Sequence, residues 1–136
     1  MKKEITEKVK EWIKKADNDL KTCKKELNSE DPIIETIAFH AQQAVEKYLK
    51  AFLTYHNVPF GKTHNIALLI EKCKKLNKEF EYLYEIEADK LYPIGITIRY
   101  PYPYDLTLEE VAEFVKIAEK VRDFVLKKLN IDENKR

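Results

Sequence analysis

The segment IRYPYPYD, residues 98–105, carries the most distinctive chemistry in the sequence. Arg99 offers several N–H donors in a fixed plane, a geometry that suits phosphate. Tyr100, Tyr102 and Tyr104 offer flat rings on which bases can stack. The intervening prolines stiffen the backbone, so little conformational entropy is left to lose on binding. The segment indicates a site for a nucleotide or RNA, or else a loop that packs its tyrosines over a helical bundle while Arg99 pairs with a glutamate.

A polar stripe follows one side of the helix that we predict after residue 31. His40, Gln43 and Lys47 share this side, and Phe39 and Ala51 lie beside them. The stripe is either a solvated surface or a surface that faces a second subunit or a ligand, because Phe39 and Ala51 would otherwise be exposed. We therefore expect His40, Gln43 and Lys47 to form a dimer or partner face.

Several common sites are excluded. The GKT triplet at residues 61–63 lacks both the earlier glycine and the preceding strand of a phosphate-binding P-loop. His40, His56 and His64 lack the spacing of helical zinc ligands. No serine or cysteine stands in a recognisable nucleophile context. We expect no metal and no cofactor.

Composition limits the class of protein. The chain has 136 residues, of which 44% are hydrophobic and 36% charged, and its formal net charge is +1. These values favour one folded domain, residues 1–136 with a frayed tail at 132–136, and they give no bulk attraction to nucleic acid or membrane. No apolar run is long enough to span a bilayer, and the N-terminus carries acids where a signal peptide needs an apolar core. We expect a cytoplasmic protein that binds no membrane.

Apolar periodicity and helix-capping residues predict an all-α protein. Five helical runs are expected: about Lys3 to Leu27, Asp31-Pro32 to about His56, a short run capped by Thr63, about Lys78 to Leu91, and a last run that opens on a Thr107–Glu110 capping box. Four longer helices with short connections close most simply as an antiparallel up-and-down four-helix bundle with one additional short helix.

Four stretches follow one another in a characteristic order: AFHAQQAVEKYLKAFL, KTHNIALLIEKC, IRYP and EEVAEFVKIAEKVRDFVLKKL. In this order and spacing they resemble the HEPN family, the higher eukaryotes and prokaryotes nucleotide-binding domain. The resemblance covers about Trp12 to Leu129. It implies a compact helical bundle that commonly dimerises. Small prokaryotic members often act beside a separately encoded minimal nucleotidyltransferase in a toxin–antitoxin-like pair.

Many members of that family are metal-independent ribonucleases, with an arginine followed at a short distance by a histidine. In this sequence Tyr104, Asp105 and Leu106 stand where a histidine should follow Arg99, and no other arginine precedes a histidine at that distance. The ribonuclease motif is therefore absent.

Three functional hypotheses follow. The first is a dimeric module that binds a nucleotide or RNA and works with a minimal nucleotidyltransferase. Its phosphate-binding and lining residues would be Arg99, Tyr100, Tyr102, Tyr104, His64 and Lys47. The second is a ribonuclease in which His64 or Tyr104 replaces the missing histidine. The third is a dimeric adaptor that uses the Gln43 and Lys47 face and binds no ligand.

Overall fold

A computed structural model describes residues 5–91 and 106–131. Within these residues all regular structure is helical, so the prediction of an all-α protein is confirmed. The helices are α1 (Glu7–Leu27), α2 (Ile34–Tyr55), α3 (Ile66–Leu76), α4 (Tyr82–Glu85) and α5 (Leu108–Lys128). The predicted tail at 132–136 and the segment 98–105 lie outside the described residues.

Capping explains where the helices begin. The Thr107–Glu110 capping box is confirmed, because the Glu110 amide donates to Thr107 Oγ1 at 3.1 Å and the Thr107 amide donates to Glu110 Oε1 at 2.8 Å. The predicted start at Lys3 is wrong, since Thr6 caps α1. The predicted cap at Thr63 is also wrong, because Asn65 accepts from the Leu68 amide.

Two other predicted boundaries need correction. Asp31 does not cap α2, which begins after Ile33 without a side-chain cap. The predicted helix from Lys78 to Leu91 is instead a 3-10 turn at Lys78–Glu81, the single turn of α4 and a second 3-10 turn at Ala88–Leu91. Glu87 interrupts it with a φ of 65°, in the left-handed region where a regular right-handed helix cannot continue.

Helix α2 is the central helix of the bundle and packs against α1, α3 and α5. It is buried around almost its whole circumference between Ala41 and Leu53. A helix enclosed by its neighbours also buries some of its polar side chains, which here are Gln42, Glu46 and Lys50. Ala51, expected to be exposed unless a second subunit or a ligand covers it, is completely buried within the single chain.

Ion pairs and hydrogen bonds between helices fix the direction of α1. Lys24 on α1 pairs with Glu119 on α5, and seven residues earlier Asp17 accepts from Arg122 Nε at 3.0 Å. The residue numbers run in opposite directions, so α1 and α5 are antiparallel. Asp17 also accepts a 2.5 Å hydrogen bond from the hydroxyl of Tyr48 on α2. One aspartate thus ties three helices together.

The helices within residues 5–91 and 106–131 include none that is long and apolar enough to cross a membrane.

Candidate functional site

The carboxylate of Glu46 is the centre of a buried polar cluster on α2. Its side chain is 2% exposed, yet both oxygens are satisfied. Oε2 accepts from Gln42 Nε2 at 2.5 Å and from Gln43 Nε2 at 3.3 Å. Oε1 accepts from Lys50 Nζ at 3.1 Å and lies 2.6 Å from His64 Nδ1. This number of donors offsets the cost of taking a carboxylate out of water.

Lys50 supplies the compensating charge. Its side chain is 8% exposed, and it lies one helical turn after Glu46, so the two form a buried i,i+4 pair. The ammonium also lies 5.6 Å from the ring centroid of Trp12 and 5.5 Å from that of Phe60. Both distances suit a cation–π interaction, which is strongest where water is excluded. Glu46 and Lys50 are therefore held from several sides.

His64 connects this buried pair to the surface. It lies in the loop between α2 and α3, where Gly61 has a φ of 65° that glycine adopts at no steric cost. The Asn65 cap then starts α3 directly after the histidine. The His64 side chain is 59% exposed, although its Nδ1 reaches a carboxylate that is almost fully buried. One end of the imidazole is therefore fixed and the rest of the ring faces solvent.

This geometry defines what His64 can do. An ionised carboxylate only accepts hydrogen bonds, so Nδ1 carries the proton in the contact with Glu46. Nε2 is then an acceptor in the neutral ring and a donor in the imidazolium. A carboxylate that fixes the tautomer and orientation of a histidine is the arrangement used in phosphate binding and in proton transfer.

A second cluster with the same residue types joins α1 to α2. Asp19 on α1 lies 2.7 Å from His40 Nδ1 and accepts from Lys47 Nζ at 2.5 Å. Exposed fractions of the side chains are 11% for Asp19, 23% for Lys47 and 29% for His40. The carboxylate here comes from one helix and both partners from the other, so the cluster links two helices.

The predicted site residues divide between these clusters. His64 and Gln43 contact Glu46, whereas His40 and Lys47 contact Asp19. No carboxylate contacts both His64 and Lys47 among the described residues. The roles of all four in binding remain predictions. Four other predicted residues lie outside the described residues: Arg99, Tyr100, Tyr102 and Tyr104.

Sequence reasoning missed the acidic centre of each cluster and the buried stripe formed by Gln42, Glu46 and Lys50. Their four-residue spacing looks like an ordinary exposed ion-pair row. A signal was nevertheless present, because apolar residues directly adjoin these three in sequence, at Ala41, Val45, Leu49 and Ala51. A polar side chain on a helix buried all round needs partners.

Other reactive groups in the described residues are held in the core. Burial raises the pKa of the Cys23 thiol to about 12 and also raises that of Cys73. Both are free cysteines, and a raised pKa makes the nucleophilic thiolate scarce. In residues 5–91 and 106–131 no group of three or more histidine, cysteine, aspartate or glutamate side chains is arranged to hold a metal ion.

Of three comparisons with known proteins, one gives a match. A family model described as the HEPN domain matches residues 9–129, most of the chain. That range includes α2, α5, both clusters and nearly all of α1. The match supports a nucleotide- or RNA-related helical module in general. Searches of curated proteins and of solved structures found no match.

Proposed function

The chain belongs to the HEPN domain family, and on that premise we propose that it is a cytoplasmic, homodimeric module that binds a nucleotide or RNA. His64 donates to a phosphate oxygen through Nε2 when its ring is protonated. The other side chains that contact the ligand in this proposal are those predicted from the sequence: Arg99, Tyr100, Tyr102, Tyr104 and Lys47. The observation that carries the proposal is the contact between exposed His64 and buried Glu46.

Three features of this contact support a ligand-binding role. A histidine held by a carboxylate loses little freedom when it binds an anion. The carboxylate already has a buried ammonium, Lys50, as its ion-pair partner, so the Glu46–Lys50 pair adds no net negative charge that would repel phosphate. Finally, the exposed part of the ring is the part that the Glu46 contact leaves open.

Binding of a short fluorescently labelled RNA, followed by anisotropy, tests the proposal. Loss of a hydrogen bond to a charged group costs about 1.5–3 kcal/mol, so His64→Ala and Arg99→Ala should each raise Kd about 10- to 100-fold. His56→Ala is the matched control, because His56 is an exposed histidine at the other end of the same loop. Its Kd should stay within about 2-fold of the parent protein.

Two results would contradict the proposal. Equal losses in His64→Ala and His56→Ala would indicate a general effect of the loop rather than a contact at His64. Absence of binding to RNA or mononucleotides at millimolar concentration, with a defined dimer still present, would favour the adaptor hypothesis.

The same contact favours a second candidate function, metal-independent RNA cleavage. A histidine oriented by a carboxylate can accept the proton of a ribose hydroxyl or return a proton to the leaving oxygen. The purified protein would then cleave RNA in the presence of chelator, and His64→Ala would abolish cleavage while His56→Ala retained it. Cleavage that persists in both His64→Ala and Arg99→Ala would identify a contaminating nuclease.

The proposed homodimer uses the face formed by His40, Gln43 and Lys47. Phe39 supports this choice because it is 41% exposed and its ring packs edge-on against His40. Phe39→Asp should convert the dimer to a monomer in size exclusion with light scattering. Leu68→Asp, at a leucine that is 44% exposed on α3, is the control and should leave the dimer intact. A parent protein that is monomeric would contradict the proposal.

The proposed partner is a separately encoded minimal nucleotidyltransferase in a toxin–antitoxin-like pair. Its support is the resemblance of the sequence to small prokaryotic members of the family. Purification from the native host, followed by mass spectrometry, should identify such an enzyme together with any bound nucleotide. Recovery of the protein without a nucleotidyltransferase would contradict this part of the proposal.

A further inference from the structure

The only tryptophan of the chain lies at the edge of the Glu46 cluster. Trp12 is on α1, next to the buried residue Ile13, and is itself only partly buried. Its ring meets Phe60 from the α2–α3 loop in an edge-to-face contact, with centroids 5.9 Å apart and an interplanar angle of 70°. Trp12 and Phe60, which come from different parts of the chain, are therefore in contact, and both remain partly exposed.

The Lys50–Glu46 pair connects the same aromatic pair to His64. Lys50 Nζ, which lies within 6 Å of both ring centroids, donates to Glu46 Oε1, and His64 Nδ1 contacts that same oxygen. Since Lys50 is buried, it approaches the aromatic pair from the interior. Trp12, Phe60 and His64 thus surround one buried ion pair, and each of the three is at least partly exposed.

The charge around this position is mainly basic. Lys8 and Lys15 lie about one helical turn before and after Trp12 on α1, and both are exposed. Lys15 is 3.9 Å from Glu11, a pair so exposed that it leaves the ammonium largely available. Exposed Lys62 lies in the loop between Phe60 and His64. Aromatic rings with basic side chains around them are what single-stranded nucleic acid binds.

We propose that Trp12 is the stacking platform for a nucleobase of the ligand whose phosphate contacts His64. The ligand class is then a ribonucleotide unit with its base attached, and Phe60 holds the tryptophan ring edge-on. This inference rests on the proposed function, because it assumes a phosphate at His64. It adds a base-binding group on α1, far in sequence from the tyrosines of residues 98–105.

Two RNA probes of equal length and charge separate base stacking from phosphate binding: an oligoadenylate and an abasic oligomer with the same ribose-phosphate backbone. Stacking of one base on an aromatic ring should make the parent protein bind oligoadenylate about 5- to 100-fold more tightly than the abasic oligomer. Trp12→Leu should remove this preference and leave the affinity for the abasic oligomer unchanged. Trp12→Phe should retain part of it.

Intrinsic fluorescence gives an independent readout, since Trp12 is the sole tryptophan. Oligoadenylate should quench its emission at saturation, whereas the abasic oligomer should have little effect. Tyr82→Leu, a substitution at an exposed aromatic residue on α4, is the control for the binding measurements and should keep the preference for bases.

Other outcomes would contradict the stacking role of Trp12, and one of them would also contradict the proposed function. If Trp12→Leu and Trp12→Phe weaken both oligomers equally, Trp12 only supports the loop. If the parent protein binds both oligomers equally and His64→Ala abolishes both, the stacking proposal fails while the phosphate site stands. If neither oligomer binds the parent protein, the proposed function and the stacking proposal fail together.

Discussion

Two lysine–carboxylate–histidine clusters lie along α2, and they differ in how far the ion pair is buried and how far the histidine is exposed. In Lys50–Glu46–His64 the ion pair is buried and the histidine is the most exposed member. In Lys47–Asp19–His40 the ion pair is more accessible, while the histidine is half as exposed as His64. Both histidines contact the carboxylate through Nδ1, so the residue types alone do not distinguish the clusters.

The difference indicates two uses of the same chemistry. The Asp19 cluster crosses from α1 to α2 and contributes to the contact between those helices. The Glu46–Lys50 ion pair lies within α2, so the salt bridge itself connects no two helices. The group outside α2 that contacts its carboxylate is a histidine in a loop. A buried ion pair is not a dependable source of stability. Its position beneath an exposed imidazole is better explained by holding that imidazole in one orientation.

The largest expected loss of stability comes from removing the carboxylate at the centre of a cluster, Glu46 or Asp19. Glu46→Ala leaves the Lys50 ammonium buried without its ion-pair partner and should lower the free energy of unfolding by about 3–5 kcal/mol. Asp19→Ala removes a buried carboxylate whose partners Lys47 and His40 are partly exposed, so it should lower the free energy of unfolding by less, about 1.5–3 kcal/mol. Urea unfolding followed by far-UV circular dichroism measures both.

A double substitution sharpens this comparison. Glu46→Leu combined with Lys50→Met removes both charges from the core, so it should recover most of the stability that Glu46→Ala loses. The double variant should still lose RNA binding, because His64 is no longer oriented. Equal losses of stability in Glu46→Ala and Asp19→Ala would remove the distinction between the clusters.

The next largest expected effect is the loss of the hydrogen bond from Tyr48 to Asp17, which joins α2 to α1 near Asp19. Burial, together with the hydrogen bond to Asp17, raises the pKa of the Tyr48 phenol well above its ordinary value of 10.0. Tyr48→Phe should therefore cost about 1.5–3 kcal/mol at pH 8, since the hydrogen bond is to a charged acceptor. Tyr82→Phe, at an exposed phenol, is the control for removal of a hydroxyl.

The pH dependence of this effect has a defined sign. Below pH 10 the Tyr48 phenol is neutral in both states and its contribution to stability is complete. Above pH 10 it ionises first in the unfolded chain, so the advantage of the parent protein over Tyr48→Phe should fall by about 1.4 kcal/mol per pH unit. Urea unfolding at pH 8 to 11 measures the difference in free energy of unfolding between the parent protein and Tyr48→Phe. A difference that stays constant over this range would show that Tyr48 is accessible to water.

The smallest expected loss of stability comes from breaking an ion pair that is exposed to solvent. Lys24 and Glu119 are 2.7 Å apart, but both side chains are at least 40% exposed. Glu119→Gln should change the free energy of unfolding by less than about 0.5 kcal/mol, and 1 M salt should abolish the difference. A cost similar to that of Asp19→Ala would mean that burial does not order these three pairs.

The local features of the fold were predictable from the sequence. Capping by Thr107 and Glu110 depends on residues three positions apart, and the helical periodicity is also local. The errors at Thr63 and Asp31 are of a different kind, because the path of the loop decides which residue caps a helix. It selected Asn65 instead of Thr63 for α3 and left α2 without a side-chain cap. For the same reason, the sequence correctly indicated that Phe39 is exposed but not that Ala51 is buried.

The sequence by itself indicated helices α1, α2, α3 and α5, the family and the residue types available for binding, because these follow from patterns among residues close together in the chain. Only the tertiary structure decided which polar groups meet. His64 contacts Glu46 across 18 residues and Arg122 contacts Asp17 across 105. Such pairs depend on how α2 is buried by its neighbours, and that burial decides whether a carboxylate faces water or holds a histidine at the surface.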